Sequence, residues 1–315
     1  MNIVVLAGGL SHERDVSVRS GRRVAESLRD LGRTVHVHDV DSELLGRWQI
    51  EPPDVVIPLL HGTAGEDGSL RDVFEALGVP YVGSQPDACR IAFDKPIAKA
   101  VARAAGIRTP IAVALPHATF RELGANAVIA AVAAKVGLPA IVKPTRGGSS
   151  LGATVVRDAR ELPAALVAAF AYGDVALVEQ FIDGTEVAVS VIERDGELIA
   201  LPAVEIVADG GIYDYAARYT AGTTAFYAPA RLADDVAEQV ASLAKQAHVA
   251  LGLRDLSRTD MIVDANGDPW FLEVNVAPGM TETSLFPLAV EASGSTLAGV
   301  MQTLVDAAIR RTVTA

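Results

Sequence analysis

Apolar runs and helical patterns alternate along the first part of the chain. Three runs, Ile3–Ala7, Val35–Val40 and Val55–Leu60, have the length and the β-branched content of buried strands. Apolar positions at helical spacing predict helices at 18–31 and 70–77. An alternation of this kind predicts an open, parallel α/β sheet.

A new structural unit is predicted to begin at Asp94. This residue precedes Lys95 and Pro96, so a preferred capping residue stands just before a proline in the first turn of a helix. Asp158 and Glu161 form an acidic capping box for a later helix. The pattern around these starts predicts a helix to residue 105, strands at 111–115, 140–143 and 153–156, and a helix at 125–136.

The last third of the chain follows a different pattern. The pair Asp195–Gly196 between two alternating runs predicts a β-hairpin. A helix is predicted at 234–251. The polar stretch 209–224, rich in Gly, Tyr and Thr, is predicted to be a loop that closes over a site.

Composition restricts the classes of protein to consider. Half of the 315 residues are hydrophobic and only 5% are aromatic, so a disordered chain is excluded and the core consists mainly of aliphatic side chains. A formal charge of −12 without a basic cluster argues against nucleic acid and anionic membranes as partners. The single cysteine, Cys89, fits a reducing compartment, and no apolar run suits a signal peptide or a membrane span. We therefore expect a soluble, cytoplasmic protein.

The clearest candidate for chemistry is a predicted hairpin at 257–275 with an Asn-Gly pair at its turn. A two-residue or four-residue loop places Asp260 opposite Glu273 and Arg258 opposite Asn275. Facing carboxylates repel each other, and two acids with an amide are the oxygen ligands that Mg²⁺ favours. Two alternatives stay open: a three-residue loop shifts this register, and an exposed hairpin can carry the same charges without a metal.

A glycine-rich segment, Lys143–Gly152, lies between two predicted strands. The backbone N–H groups of such a loop, with the hydroxyls of Ser149 and Ser150, can surround phosphate oxygens. The segment is not a Walker loop, in which the lysine follows the glycines and a helix comes next. The alternative interpretation is the ordinary flexible tip of a hairpin.

Another glycine-containing loop, Ala7–Ser17, follows the first strand and enters a helix for which Ser17 is the predicted cap. It lies at the carboxyl edge of the sheet, where open α/β folds bind ligands. Asp39 or Asp41 after the next strand raises the rival hypothesis of a dinucleotide site in a dehydrogenase, but the Gly-x-Gly-x-x-Gly spacing is absent. His61 is the only histidine that we place in a site.

Together these segments resemble the ATP-grasp superfamily, and within it the D-alanine:D-alanine ligases, along essentially the whole chain. The joint order of the matching segments is highly specific. They are Gly8–Glu13 with Val16 and Ser17, His61–Gly62 with Gly65–Gly68, Asp94–Lys95, Lys143–Pro144 with Gly148–Ser150, Tyr213–Tyr215, Arg258–Asp260, Glu273–Asn275 and Pro278–Thr281. The resemblance implies an α/β, ATP-grasp fold of three α/β domains with an N-terminal Rossmann-like parallel sheet. We place the domains at 1–92, 93–178 and 179–315.

The resemblance also implies ligands for individual residues. It assigns Asp260, Glu273 and Asn275 to Mg²⁺, with two ions expected and Mn²⁺ as an alternative. The implied ATP contacts are Lys95, Lys143 and Ser150 with Arg218 near the phosphates, Glu179, Gln180, Phe181 and Ile182 at the adenine, and Glu186 at the ribose. The implied substrate contacts are Glu13 with Ser149 and Tyr219 for the first ammonium, His61 in the substrate site, Ser284 and Leu285 for the second carboxylate, and Arg258 with the Gly279 N–H for the oxyanion.

The activity that the resemblance implies is the ATP-dependent joining of two D-alanines, by a homodimer, through an acyl phosphate for a peptidoglycan precursor. Arg218 stands where the family usually has lysine, which bears on the contact between the loop and the phosphates. Ligation of a different amino acid pair is the nearest alternative. A nucleotide-binding regulatory protein without turnover is another, and the intact Arg258, Asp260, Glu273 and Asn275 argue against it.

Overall fold

The computed structural model describes residues 1–210 and 222–313. It contains three β-sheets, each with associated helices, which is the α/β organisation expected from the sequence. No helix within the described ranges is both long and apolar enough to cross a membrane.

The N-terminal sheet is parallel, as predicted, with its strands in the order β2–β1–β3. The central strand is buried from Ile3 to Leu6 because helices cover both faces of the sheet. The strands are β1 (Asn2–Leu6), β2 (Thr34–His38) and β3 (Val55–Pro58). The helices of this unit are α1 (Arg14–Asp30), α2 (Leu44–Ile50), α3 (Thr63–Glu66), α4 (Ser69–Leu77) and α5 (Pro86–Phe93).

The middle sheet is antiparallel, with the strand order β4–β7–β5–β6. Its strands are β4 (Ala112–Pro116), β5 (Ala140–Pro144), β6 (Thr154–Val156) and β7 (Val175–Gln180). The helices are α6 (Lys95–Ala104), α7 (His117–Leu123), α8 (Ala125–Val136) and α9 (Leu162–Phe170), with a 3₁₀ turn at Ala159–Glu161. Valine, alanine and leucine side chains from these elements form the core of this unit.

Both predicted helix starts of this unit are confirmed. The carboxylate of Asp94 accepts a hydrogen bond from the Ile97 N–H at 3.3 Å, and so caps α6. Asp158 and Glu161 form the reciprocal capping box at the 3₁₀ turn. These signals were readable in the sequence because a cap acts only on the first few residues of its own helix.

The third sheet is antiparallel, with the strand order β11–β10–β8–β12–β13, and β9 also pairs with β8. The predicted hairpin is confirmed at Asp195–Gly196, where both residues have positive φ, as a tight hairpin turn requires. The strands are β8 (Thr185–Arg194), β9 (Glu197–Ala200), β10 (Val204–Ala208), β11 (Thr224–Tyr227), β12 (Leu256–Val263) and β13 (Pro269–Asn275). The helices are α10 (Asp234–Ala250), α11 (Leu285–Ala292) and α12 (Leu297–Val313).

The helix α12 packs on the N-terminal sheet, far from it in sequence. Val300 and Leu304 of α12 belong to the same buried core as Ile3 of β1 and Val24 of α1. Ile192 of the third sheet is also part of this core, so the first and third units share one apolar interior. The domain boundaries given above remain a prediction.

The prediction that Ser17 caps α1 is wrong. The helix begins at Arg14, and Ser17 lies inside it, fully buried. Its hydroxyl accepts a hydrogen bond from the Gly8 N–H at 2.8 Å and donates one to the Leu59 carbonyl at 2.7 Å. The serine therefore connects the loops after two strands, which is a tertiary role that spacing along the chain does not reveal.

Gly21 provides a test of the packing of α1 on β1. A Cβ added at Gly21 lies only 2.4 Å from the Cβ of Ala7, so we predict that Gly21→Ala lowers the free energy of unfolding by about 1–3 kcal/mol through overpacking. Gly46 in α2 has open space instead, and Gly46→Ala is expected to raise the free energy of unfolding by about 0.5–1 kcal/mol. Urea unfolding of both variants measures the difference, and equal responses would contradict the packing explanation.

Candidate functional site

Two cavities of about 700 and 380 Å³ lie side by side between the sheets. Both are lined by Lys95 of α6, by Gly147 and Gly148 of the loop after β5, and by Glu273 of β13. The larger cavity has the size of a nucleotide-like ligand, and the smaller one suits two small molecules. The shared residues mark the place where ligands of the two cavities would meet.

The candidate residues of the described ranges all line one or both of these cavities. The larger cavity is lined by Lys95, Lys143, Ser150, Glu179, Gln180, Phe181, Ile182, Glu186, Asp260 and Glu273. The smaller cavity is lined by Glu13, His61, Lys95, Ser149, Arg258, Glu273, Asn275, Gly279, Ser284 and Leu285. Arg218 and Tyr219 lie outside the described residues.

The β12–β13 hairpin has the predicted pairs Asp260–Glu273 and Arg258–Asn275, but its turn differs from the predicted one. Its turn is a three-residue loop at 265–267, closed by hydrogen bonds between Asp264 and Asp268, so the Asn-Gly pair is not a two-residue turn. This loop shifts the register by one residue, and Met261 pairs with Phe271. A bulge at Leu272 then restores it, so that Asp260 pairs with Glu273.

The bulge also changes which way the side chains face. In a regular strand, successive side chains point to opposite faces. At the bulge, Leu272 and Glu273 both line the larger cavity, whereas Phe271 and Val274 lie in the apolar core behind it. The bulge thus turns an acidic side chain towards the cavity and leaves a large apolar neighbour beside it.

Cationic side chains accompany the facing carboxylates. Arg258 donates two hydrogen bonds of 2.7 Å to Asp260, and the Lys95 ammonium lies 3.1 Å from the Glu273 carboxylate. Asp260 and Arg258 are 5% and 7% exposed, so the alternative of a solvated charged hairpin is wrong. Charges this deeply buried need partners, and these groups provide them for one another.

The donor set at the hairpin fits a hard divalent cation. Among the described residues, no group of three or more His, Cys, Asp or Glu side chains is arranged to hold a metal ion, so a cation here would rely on two acids and an amide. Asp260 and Glu273 face the larger cavity, and Asn275 faces the smaller one, where its Oδ1 accepts a hydrogen bond from the Ala277 N–H at 2.8 Å. The remaining lone pair of that oxygen and the carboxylates match the preference of Mg²⁺ for oxygen ligands.

The glycine-rich loop after β5 has an unusual backbone. Ser149 and Ser150 both have φ near +55°, in a region that non-glycine residues adopt mainly at constrained sites. In turn conformations, successive backbone N–H groups can form a concave anion-binding surface. The loop lines both cavities, whereas a hairpin tip of no function would project into solvent.

In the smaller cavity, the N-terminal unit meets the glycine-rich loop. The Ser149 hydroxyl hydrogen-bonds to the Glu13 carboxylate, which also lies beside Gly148. Burial lowers the pKa of His61, so this imidazole is neutral at pH 7, and its Nε2 has no hydrogen-bond partner among the described residues. Such an atom is available to a polar ligand.

The opposite wall of the smaller cavity is the start of α11. Ser284 stands at the N-cap position and Leu285 is the first residue of the helix. The Ser284 hydroxyl accepts a hydrogen bond from the Thr281 N–H at 3.0 Å and lies next to Gly279. A helix N-terminus presents free N–H groups and a positive dipole end, which favour a carboxylate.

The environment of Glu179 differs from what an adenine contact alone suggests. Its side chain is 1% exposed, and its carboxylate pairs with the Lys143 ammonium at 2.8 Å and with Lys99. Burial raises the pKa of Glu179, but the two lysines together outweigh it and hold that pKa below its ordinary value. The carboxylate is therefore charged, and it holds Lys143 in the wall of the larger cavity.

The rival dinucleotide hypothesis does not fit the end of β2. The Asp39 carboxylate accepts hydrogen bonds from the Gly9 N–H at 2.7 Å and the Val40 N–H at 2.8 Å, and it pairs with Arg14. A Cβ at Gly8 would lie 2.3 Å from this carboxylate, so the loop is closed tightly over it. The Asp39 carboxylate is thus engaged in stabilising its own loop.

Several site residues were not found from the sequence. Lys99 is buried and pairs with Glu179 of a distant segment, and Glu66 is buried near Glu13 of a distant segment. The larger cavity is also lined by Arg157, Arg231 and Leu272, which carry no local signal. Glu66 belongs to the quoted segment Gly65–Gly68, so its presence there was the one available clue.

Comparison with known proteins agrees with this architecture. The family model described as D-ala D-ala ligase C-terminus matches residues 101–306, and the one described as D-ala D-ala ligase N-terminus matches 46–84. A D-alanine–D-alanine ligase of Moorella thermoacetica is 40% identical over 98% of this chain and 99% of that protein. One of Gloeobacter violaceus is 41% identical over 97% of this chain and 99% of its own length.

Solved structures give the same result. A D-alanine–D-alanine ligase of Bacillus anthracis complexed with ATP has a TM-score of 0.82 at 27% identity, with 100% of this chain and 99% of that chain covered. VanG, a D-Ala:D-Ser ligase of Enterococcus faecalis, has a TM-score of 0.83 at 28% identity, with 98% and 99% covered. Fold and site together define a protein of the ATP-grasp class. Within that class, the chain belongs to the D-alanine–D-alanine ligase family.

Glu66 allows a test of the electrostatics of the smaller cavity. Burial, and then the nearby Glu13 carboxylate, raises the pKa of Glu66 from 4.5 to about 7. Since the folded protein disfavours the ionised form, it loses stability relative to Glu66→Gln as the pH rises from 4.5 through 7. The free energy of unfolding of the wild type, relative to that of Glu66→Gln, is expected to fall by about 3 kcal/mol over this pH range.

Unfolding free energies of both proteins between pH 5 and 8 measure this change. Glutamine keeps an acceptor for the Gly62 N–H, which donates to Glu66 at 2.9 Å. A difference between the two proteins that does not vary with pH would show that Glu66 titrates normally.

Proposed function

We propose that the protein catalyses the ATP-dependent joining of two D-alanine molecules to D-alanyl-D-alanine, with release of ADP and phosphate, for peptidoglycan precursor synthesis. The observation that carries this proposal is the contact between the two cavities at Lys95, Gly147, Gly148 and Glu273. A nucleotide in the larger cavity would place its terminal phosphate beside a carboxylate in the smaller one. Membership of the D-alanine–D-alanine ligase family supports the choice of substrates.

The chemistry explains why the cavities have to meet. An amine does not displace oxide from a carboxylate, so the carboxylate of the first D-alanine is phosphorylated by ATP to an acyl phosphate. The amine of the second D-alanine then attacks the carbonyl carbon, and phosphate leaves with the electron pair of the C–O bond. Phosphoryl transfer requires mainly positioning and charge neutralisation from the protein.

The larger cavity would hold ATP. We assign the phosphates to Lys95, Lys143 and Ser150, which all line the larger cavity, with Lys95 at its junction with the smaller one. The adenine and ribose would lie against Gln180, Phe181, Ile182 and Glu186, at the end of β7 and the start of β8. Glu179 lines the same cavity, and its carboxylate orients Lys143.

The hairpin carboxylates would hold the divalent cation of the reaction. We assign Mg²⁺, as two ions or with Mn²⁺ as an alternative, to Asp260, Glu273 and Asn275. When bound, the metal neutralises charge on the phosphates during transfer. The side chains themselves orient the nucleotide, because Lys95 pairs with Glu273 and both line the junction.

The smaller cavity would hold both amino acids. Glu13, positioned by Ser149, is assigned to the ammonium of the first D-alanine, with Tyr219 as a further contact. The start of α11, at Ser284 and Leu285, is assigned to the carboxylate of the second. Arg258 and the Gly279 N–H would stabilise the oxyanion, and one such donor contributes about 2.7–4 kcal/mol.

Two features of the proposal concern the protein in the cell. We place the reaction in the cytoplasm, where the ATP that it consumes is produced. The homodimer implied by the resemblance stays a prediction.

The substrates are tested by phosphate release from Mg²⁺ and ATP with D-alanine, L-alanine, D-serine or no amino acid, with the products identified by mass. We expect phosphate release to depend on D-alanine, with one D-alanyl-D-alanine per phosphate. A mixed D-alanyl-D-serine product as the main species would favour the alternative pair, which the structural similarity to VanG brings into consideration. Phosphate release without any amino acid dependence would contradict a ligase.

The metal assignment is tested with Glu273→Gln. This variant removes one charge from the carboxylate pair and is expected to lower kcat by about 100-fold or more, because several kcal/mol of charge stabilisation depend on the cation. Glu238→Gln, an exposed position on α10, is the matched control and should retain wild-type turnover. Near-normal kcat in Glu273→Gln, at wild-type Mg²⁺ dependence, would remove this residue from the metal site.

A further inference from the structure

Lys99 is a fully buried cation without an assigned role. It lies on α6, one turn after Lys95, and is 1% exposed, so it is among the largest side chains in the protein interior. Burial lowers the pKa of its ammonium to about 8, although Glu179 opposes this effect. Since an isolated buried charge is strongly unfavourable, the surroundings of Lys99 are built to hold it.

The Lys99 ammonium contacts two other parts of the chain. It pairs with the Glu179 carboxylate of β7, and it donates a hydrogen bond to the Phe271 carbonyl of β13 at 3.3 Å. It also lies 5.8 Å from the centre of the Phe271 ring, within the range of a cation–π interaction. A single side chain thus connects α6, the middle sheet and the third sheet.

One of these contacts leads to Lys143. The Glu179 carboxylate is shared between the Lys99 and Lys143 ammonium groups, and Lys143 is 2.8 Å away. Without Lys99, the carboxylate would have one cationic partner and would be free to follow the Lys143 side chain. With Lys99 present, the second ion pair fixes the position of the Glu179 carboxylate. The Lys143 ammonium, which pairs with the same carboxylate, then stays in the wall of the larger cavity.

The other contact leads to Glu273. Phe271 is the last residue before the bulge at Leu272, and its ring is completely buried. Its N–H donates to the Arg108 carbonyl at 2.9 Å, and its carbonyl accepts from Lys99, so both of these backbone groups are fixed. The direction of Glu273 depends on this fixed backbone, because the bulge begins there.

We propose that Lys99 is a positioning residue that fixes Lys143 and Glu273 relative to each other, and so sets the affinity of the protein for a magnesium–nucleotide. The inference rests on the proposed function in one respect, namely that Lys143 and Glu273 contact the nucleotide and its metal. Lys99 itself lines neither cavity and acts through Glu179 and Phe271.

Stabilisation of the fold alone does not account for the contacts of Lys99. Buried ion pairs are often replaceable by apolar side chains without loss of stability, so stability alone does not explain a buried ammonium. Instead, Glu179 contacts Lys143 in the wall of the larger cavity, and Phe271 is two residues from Glu273 at the cavity junction. The charge is therefore expected to affect nucleotide binding more than substrate binding.

The experiment compares Lys99→Gln, Lys99→Met and Lys99→Arg with the wild-type full-length chain. The dissociation constant of ADP with Mg²⁺ is measured by calorimetry, and the KM values for ATP and for D-alanine by phosphate release. We expect the Gln and Met variants to raise the ADP dissociation constant and the ATP KM by about tenfold or more, which is the usual effect of removing an outer support of a ligand site. The KM for D-alanine should stay within about twofold, and Lys99→Arg should restore part of the nucleotide affinity because it keeps the charge.

Arg103→Met is the matched control. Arg103 lies on the same helix, four residues further on, but is exposed and away from both cavities. It should leave all constants unchanged. If the Met variant does not fold, Lys99→Gln decides, since its amide can still donate to Glu179 and to the Phe271 carbonyl.

Two results would overturn the inference. Wild-type ADP affinity in a folded Gln variant would show that Lys99 does not set nucleotide binding. An equal increase in the KM for D-alanine would show general damage to the site. Calorimetry with ADP needs no turnover, so a protein that binds ADP but does not use D-alanine would contradict the proposed function and still test Lys99.

Discussion

The repulsion between two facing carboxylates is the constraint on which the site depends. Asp260 and Glu273 pair across neighbouring strands, Asp260 buried and the Glu273 side chain 29% exposed, and like charges that face each other destabilise a sheet. Cations from two elements offset this repulsion. Arg258, on the same strand, pairs with Asp260, and Lys95 of α6 pairs with Glu273. The third sheet and α6 therefore have to assemble together before the hairpin is electrostatically balanced.

Helix α6 organises much of this balance. Its Asp94 cap also accepts from the Arg146 guanidinium at 3.0 Å, and the Lys95 N–H donates to the Thr145 carbonyl at 3.0 Å, so the start of the helix is bound to the glycine-rich loop. Lys95 and Lys99 lie on one face of the helix because four residues make about one turn. The Lys95 ammonium neutralises Glu273 at the cavity junction, and the Lys99 ammonium neutralises the buried Glu179.

Local signals in the sequence were sufficient for much of the fold but not for the fine geometry of the site. The cap at Asp94 and the box at Asp158 depend only on nearby residues, and both are where the sequence predicts them. The carboxylate pairing was right although the turn was wrong, because the bulge at Leu272 cancels the shift of the odd-numbered loop. Nothing in the alternation of polar and apolar residues marks such a bulge. The same holds for Ser17, whose hydrogen bonds join segments that only the folded chain brings together.

The shared core of β1 and α12 affects the order in which the chain can fold during synthesis. The strands of the N-terminal sheet leave the ribosome long before Leu297–Val313 are made, yet one face of that sheet is covered by those residues. Until then the nascent chain carries an apolar surface without its partner, and such surfaces favour aggregation or chaperone binding. The first unit in sequence is therefore among the last to be completed, and the synthesis of α12 governs when the smaller cavity, lined by Glu13 and His61 of that unit, acquires its final walls.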